Sequence, residues 1–369
     1  MSELLPMLEP ERETLEKCVY CPKLCRASCP VSEQEGSETV TPWGKMSMAY
    51  FVGRGDVPQD AEHADSAWAC TGCHACRERC NHNSDVAYSL GQARASHFAA
   101  HRAPRAAVRV AESFEDHLAK TGRAVDAFDP EARASARVAV LVGCSYARNL
   151  PPEASRIFRL AEALVGAEVR AVRACCGVPL LNAGDQVQLH SAVQRLREEV
   201  GDAETLLVAD PGCAHALQEV FPRIAPEPPP VQLLLDYVYA HLDRVPAAGL
   251  RRLAVRYHDP CKLGRGLGRY EEPRAILARL LGAPPREMPR DRARAECSGG
   301  GGLLPLTRPR TSAAIADARI AEHRAAGGGL LVTACAESIR RFRSRGEVAV
   351  DLLGLVAEAM GIGDDEGTP

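Results

Sequence analysis

From residue 136 onward the chain alternates short apolar runs with amphipathic segments. Val138 to Val142 is a continuous apolar run, as a strand buried on both faces of a parallel sheet requires. Residues 152–165 then place Ala154, Ile157, Phe158, Ala161, Leu164 and Val165 on one helical face, and Gly166 closes the helix. Val169 to Val172 predicts a second strand. Leu206 to Ala209 predicts a third, after a helix at 186–200. The Pro-rich stretch 227–230 predicts a linker, and 231–242 an apolar-faced helix. The pattern then restarts. Leu253, Val255 and Tyr257 begin a strand, helices follow at about 272–281 and 311–325, and Leu330 to Thr333 predicts another strand.

Upstream the pattern is different. Short turn-rich segments flank an apolar patch from Trp43 to Val52, and residues 85–98 predict a helix. Residues 104–121 predict a second, with Val108, Ala111, Phe114 and Leu118 on one face and Gly122 just past its end. A break rich in Ala and Arg follows near 123–135. The expected organisation is a first domain at 1–100, a helical connector at 101–135, and two α/β segments at 136–246 and 247–363. These segments are an internal repeat of roughly 115 residues, each presenting loops at strand ends, where ligands of open α/β sheets sit.

Composition adds limits. The 369 residues suggest two or three domains at about 150 residues each. The net charge of −3 is too near neutral to advertise a nucleic-acid or membrane-surface partner. No apolar run reaches the roughly 18 residues of a membrane span. The acidic N-terminus, MSELLPMLEPERETLEK, lacks the apolar core of a secretory signal, so a cytoplasmic location is expected, with peripheral docking on a membrane open. The outlier is cysteine, 15 in all. In a reducing compartment, clustered cysteines more often bind metal or do redox work than form disulfides.

Eight cysteines fall in the first 80 residues, in two strings: Cys18, Cys21, Cys25, Cys29 and Cys70, Cys73, Cys76, Cys80. The second string is C-x2-C-x2-C-x3-C, the ligand run of a cubane iron–sulfur cluster, whose fourth cysteine serves the other cluster of a pair. The expected sets are therefore Cys18, Cys21, Cys25 with Cys80, and Cys29 with Cys70, Cys73, Cys76, each holding a 4Fe-4S cluster. The first string has three residues between Cys21 and Cys25, and Asn81 stands where Pro is common. Structural zinc is the plainer alternative, although the triple is tighter than usual zinc spacings. CTGCH at 70–74 also matches the c-type haem pattern, but it lies inside a longer cysteine run.

The other seven cysteines recur in step with the repeat. The first segment has Cys144, the pair Cys175-Cys176 before Gly177, and Cys213; the second has Cys261, Cys297 and Cys335. A lone buried cysteine is usually a small core hydrophobe. Recurrence at strand ends in both segments argues otherwise.

This order, twice over behind a two-cluster ferredoxin pattern, resembles the cysteine-rich (CCG) domain family. That family includes heterodisulfide reductase subunits and the iron–sulfur subunits of glycolate oxidase and lactate-utilisation systems. The resemblance implies an α+β multidomain protein, with a mostly helical two-cluster ferredoxin domain followed by two tandem α/β repeats. It also implies an additional iron–sulfur cluster in repeat one, held by Cys144, Cys175, Cys176 and Cys213, with Asp210 where the family has another cysteine. In repeat two, Ser298 replaces the second member of the pair. Cys335 matches either member of the final C-x-x-C, leaving Ser338 or Val332 in the other place. Cys261, Cys297 and Cys335, with His258, are candidate ligands for zinc or iron. The glycines of SGGGGLLP at 298–305 are read as letting backbone approach the Cys297 site and adopt positive φ, not as a phosphate loop.

No GxSxG, HExxH or P-loop string appears. The resemblance therefore implies an iron–sulfur electron-transfer subunit working with a flavoprotein dehydrogenase or other redox protein. A second expectation is thiol–disulfide reduction, with Cys175 and Cys176 catalytic. A third is a non-redox scaffold holding zinc.

Overall fold

The computed structural model describes residues 5–6, 8–131, 133, 135–225, 229–250 and 252–363. The chain forms two compact units, each assembled from three separate stretches. The first unit is Met1–Phe114, Gly177–Leu189 and Ala293–Ala321; the second is Glu115–Cys176, His190–Arg292 and Glu322–Pro369.

The second unit holds two parallel sheets. β1 (Val138–Leu141), β2 (Val169–Ala171), β3 (Thr205–Val208) and β4 (Val231–Leu233) lie in the order β2-β1-β3-β4. β5 (Val255–Tyr257), β6 (Arg286–Glu287), β7 (Leu330–Thr333) and β8 (Ala349–Asp351) lie in the order β6-β5-β7-β8. The identical order is the internal repeat made visible. Ala139, Val140, Leu141, Leu206, Leu207 and Val208 are buried, as strands covered on both faces require. The Pro151–Val165 helix buries Ala154, Ile157, Phe158, Ala161 and Leu164, and Gly166 ends it at φ +69°.

Three short strands escape the sequence pattern. β4 and β8 occupy the first residues of apolar runs that continue into helices at Leu234–Ala240 and Leu352–Ala359, so strand and helix merge in the sequence. The helix expected at 231–242 thus begins at Leu234. β6 has only two residues. The helix expected at 104–121 is two helices, Arg105–Glu112 and Phe114–Asp126. Between them the Ser113 hydroxyl donates to the Arg109 carbonyl (2.7 Å), a local bond that competes with the helical ladder. The second helix runs through Gly122 instead of ending before it. Of the linker at 227–230, residues 227–228 lie outside the described residues.

Within the second unit, Tyr146 of repeat one donates to the Asp351 carboxylate of repeat two (2.5 Å), and both are buried. Asp351 also caps its helix by accepting from the Gly354 N–H (3.0 Å). Burial pushes the Asp351 carboxyl up to about 6, against the lowering effect of these donors. The folded chain therefore binds this proton more tightly than the unfolded chain. The resulting stability is complete below about pH 4 and is lost as pH rises through 6. Between pH 5 and 8 this single group should remove roughly 1.5 kcal/mol of unfolding free energy. Denaturant titrations across that range should show a shallower fall for Asp351→Asn.

The first unit is mainly helical and wraps its core around Trp68, whose Nε1–H donates to the Asn182 carbonyl (3.1 Å). Leu15, Met46, Leu90 and Ala93 pack in the same cluster. Val31, Val40, Ala69, Leu304 and Ile315 form a second one.

Candidate functional site

The first unit folds its two cysteine strings alike. Cys18 lies in the last turn of the Arg12–Val19 helix, and Cys21 and Cys25 follow in a loop that Lys23 turns with its left-handed backbone (φ +67°). A short turn at Arg26–Ser28 then leads to Cys29 in extended backbone, φ −96° and ψ +113°. The second string repeats this: Gly72 and His74 are left-handed, a turn spans Arg77–Arg79, and Cys80 is extended at φ −99° and ψ +117°. Both strings thus wrap three sulfurs locally and carry the fourth away.

Electrostatics show which thiols are neighbours. Burial, helped by the charges of Cys80, Cys25 and Cys21 and opposed by the Ser84 hydroxyl, pushes the Cys18 thiol up to about 12. Burial also pushes Cys76 well up, with Cys70, Cys73 and Cys29 as its charged neighbours. One grouping is thus Cys18 with Cys21, Cys25 and Cys80, and the other Cys76 with Cys29, Cys70 and Cys73. Backbone N–H groups supply compensation: Gly72 donates to Cys70 Sγ (3.3 Å) and Ser84 to Cys80 Sγ (3.5 Å). Cys80 is raised by burial, yet the donors at Ser84, His82 and Asn83 outweigh this and leave it lowered. A cavity of about 180 Å³ opens beside Cys18, Cys21, Cys25 and Cys80, bordered by Trp43.

Two cations that the motifs do not mark lie beside the other group. Lys45 is buried; its Nζ donates to the Ala69 carbonyl (2.7 Å) and lies 3.3 Å from Cys29 Sγ. Burial pulls this ammonium down, but the attraction of the Cys29, Cys70 and Cys76 sulfurs, with the Cys29 contact, outweighs it and leaves the pKa raised. Arg94, also buried, donates to the carbonyls of Ala67 (2.9 Å) and Cys70 (2.8 Å). The glycine loop belongs to this neighbourhood as well. Gly299 N–H donates to Cys297 Sγ (3.3 Å), as the sequence reading anticipates. Gly301 and Gly302, however, press on the backbone of Thr71 and Cys70.

In the second unit the repeat-one cysteines gather at the C-terminal ends of β1, β2 and β3. Gly143 (φ +101°) turns the chain from β1 into the helix that starts at Cys144. A Cβ there would sit 3.2 Å from Asp210 Cβ, so the close approach needs glycine. Cys175 Sγ lies 3.9 Å from Cys144 Sγ, and Cys176 Sγ lies 3.1 Å from Cys213 Sγ. The Cys175 contact and burial push the Cys144 thiol well up. Asp210 caps the Pro211–His215 helix through the N–H groups of Gly212 and Cys213, and burial pushes its carboxyl up to about 6.

His117 joins this group from the Phe114–Asp126 helix, which precedes the first strand of the repeat. One ring nitrogen lies within 4.8 Å of the sulfurs of both Cys144 and Cys175. Burial and the Arg148 charge pull the imidazole down to about 4, so it is neutral near pH 7. Arg148 Nη1 is 2.5 Å from His117 Nδ1. A guanidinium only donates, so Nδ1 accepts and the ring proton sits on Nε2.

The second repeat keeps the same stations with fewer sulfurs. Cys261 follows β5 as Cys144 follows β1. Cys335 lies two residues beyond β7 at the N-cap position of the Ala336–Ser344 helix, the place that Asp210 holds two residues beyond β3, although only Asp210 accepts a capping bond through its side chain. Cys335 is therefore the first member of the final pair, and Ser338 stands at the station of Cys213. His258 is buried, with its N–H bonded to the Val332 carbonyl (2.8 Å) and its ring edge-on to Phe342. Cys261, Cys335 and His258 belong to the second unit and Cys297 to the first. Among the described residues, only His117, Cys144 and Cys175 have donor atoms close enough for one metal ion to bridge three side chains. Cys261, Cys335 and His258 are not gathered that tightly.

Comparison with known proteins agrees with this architecture. Residues 14–84 match the 4Fe-4S dicluster domain, and residues 138–218 and 255–337 each match the cysteine-rich domain. The chain is a cysteine-rich (CCG) domain iron–sulfur protein, with one dicluster segment and two CCG segments.

Its relatives are components of redox systems. A fumarate reductase (CoM/CoB) subunit of Methanothermobacter marburgensis is 26% identical over 341 residues, covering 88% of this chain and 67% of the relative. A dihydromethanophenazine:CoB–CoM heterodisulfide reductase subunit of Methanosarcina barkeri is 28% identical over 206 residues, covering 51% of this chain and 50% of the relative. Lactate utilization protein A 1 of Bacillus anthracis is 26% identical over 172 residues, covering 43% and 69%. The match thus spans half the length of the heterodisulfide reductase relative. Among the described residues, no helix is long and apolar enough to cross a membrane.

Proposed function

We propose that this protein is the iron–sulfur electron-transfer subunit of an oxidoreductase, exchanging electrons with a flavin dehydrogenase that oxidises a hydroxy acid of the glycolate or lactate kind. In this reading Cys18, Cys21, Cys25 and Cys80 hold one 4Fe-4S cluster, and Cys29, Cys70, Cys73 and Cys76 hold the other. Cys144, Cys175, Cys176 and Cys213 hold a further iron–sulfur centre, with Asp210 and His117 as its polar neighbours. The arrangement of the first eight thiols carries the reading. Cys80 is a charged neighbour of Cys18 and Cys29 of Cys76, so each string sends its last sulfur to the other nest, which suits a pair of cubane clusters better than two separate zinc sites. The protein works at a redox partner in the cytoplasm or on the inner membrane surface, and the second repeat is the depleted copy.

A second reading has one specific support. A cavity of about 230 Å³, lined by Leu118, Gly122, Ala192 and the Arg173 and Arg195 side chains, reaches Cys175. There a disulfide substrate would take two electrons and two protons, its S–S bond breaking to give two thiols. Anaerobic purification with iron, sulfide and zinc analysis tests both readings. The expected protein is brown, contains about eight irons in its N-terminal clusters plus the repeat-one centre, and is reduced by a flavoprotein dehydrogenase. A colourless zinc protein sinks the proposal. Reoxidation by disulfides that is lost in Cys176→Ser would favour the second reading.

A further inference from the structure

We propose that Lys45 sets the order in which the two N-terminal clusters accept electrons, making the cluster at Cys29, Cys70, Cys73 and Cys76 the easier one to reduce. The inference rests on the cluster assignment above. It adds a direction of flow.

A reduced cluster carries one more negative charge than an oxidised one. A fixed cation beside it favours that state, and the effect grows as water is excluded. Lys45 is only 1% exposed, and its ammonium is fixed between the Ala69 carbonyl and Cys29 Sγ. Arg94 adds a second buried cation, held on the carbonyls of Ala67 and Cys70. Both anchor to backbone just before or at Cys70, so they move with this loop.

The other nest is different. Its cationic side chains, Lys17 and Lys23, lie along the rim of the cavity beside Cys18. Lys17 is half exposed and already pairs with Glu13 (2.6 Å). Lys23 sits over the Trp43 ring, 3.7 Å from its centroid. Charges in contact with water are screened and favour a reduced cluster far less. The same nest is flanked by Tyr20 and Leu24, which are 77% and 53% exposed. Electrons therefore enter at the outer cluster and settle on the one beside Lys45.

Redox titrations of the full chain, prepared anaerobically and followed by electron paramagnetic resonance, test this. Cys73→Ser should remove or alter the higher-potential N-terminal step, and Cys21→Ser the lower one. Lys45→Met should lower only the higher step, by roughly a hundredfold in the reduced-to-oxidised ratio, or about 120 mV at 59 mV per tenfold. Lys45→Arg should retain most of it. The proposal fails if Lys45→Met keeps its iron and leaves both midpoints in place, or if Cys73→Ser removes the lower step. If Lys45→Met loses iron, the two cysteine variants decide the order by themselves. Absence of iron from the unmodified protein would defeat the cluster assignment, which is a separate result.

Discussion

Gly302→Ala should cost more than about 4 kcal/mol and empty the nest that contains Cys70. Gly302 is left-handed (φ +65°), and a Cβ there would clash with the Cys70 carbonyl oxygen and crowd the Cys70 and Thr71 backbone. The obstacle is main chain of the ligand loop, not the end of a side chain that can swing away. Gly301 meets the Thr71 carbonyl in the same manner. Strain from φ alone costs only about 1–2 kcal/mol. Gly346→Ala isolates that contribution, because Gly346 has φ +76° and open space around its Cα. Iron content and thermal midpoints of the two variants should separate clearly: Gly346→Ala keeps its full iron, and Gly302→Ala loses about four atoms per chain. Equal behaviour would mean the glycine loop does not brace the Cys70 segment.

Arg274→Met should destabilise the second unit by about 3–5 kcal/mol. Arg274 lies on the Glu271–Leu281 helix and is almost fully buried. Its guanidinium makes a two-pronged bond to Asp259 (2.8 and 2.9 Å), and another to Glu287 of β6 (2.7 and 2.8 Å). Asp259, 3% exposed, also accepts from the Arg292 N–H (2.9 Å) and lies two residues before Cys261. Removing the cation leaves a buried carboxylate without its counter-charge, which is the costly way to break such a network. Arg274→Met combined with Asp259→Asn should therefore be less unstable than Arg274→Met alone. Chemical denaturation of the three proteins gives the comparison, and a loss below about 1 kcal/mol for Arg274→Met would show that water reaches the site.

The sequence carried the inner strands of both sheets, because apolar runs such as Val138–Leu141 admit few alternatives, but not the short edge strands β4, β6 and β8. It also carried the two thiol strings, whose spacing encodes the wrapping of a loop around sulfur. Other features needed three dimensions. A glycine announces that something approaches closely, but not what: the run at 299–302 pointed to Cys297, yet Gly301 and Gly302 face a segment more than two hundred residues earlier. His117 had no local signal, since its role depends on a helix passing the ends of β1 and β2. Lys45 did leave a trace, as the one charged residue within the apolar stretch from Trp43 to Val52. Reading that lysine as buried would have required knowing that thiolates lay opposite. The strand ends also resolved what spacing left open, placing Cys335 at the station of Asp210.

The interleaved path of the first unit has a consequence for biosynthesis. Asn182 receives the Trp68 indole, Arg308 pairs with Glu35 (2.8 Å) and Asp65, and Leu304 and Ile315 complete a wall against Val31 and Val40. A ribosome that has finished residue 114 must still add about two hundred residues before the last of these partners emerges, some 10–40 s at about 5–20 residues per second. Nascent chains thus carry eight bare thiols through much of translation, and assembly factors that deliver iron would find a finished pocket only near the end of synthesis.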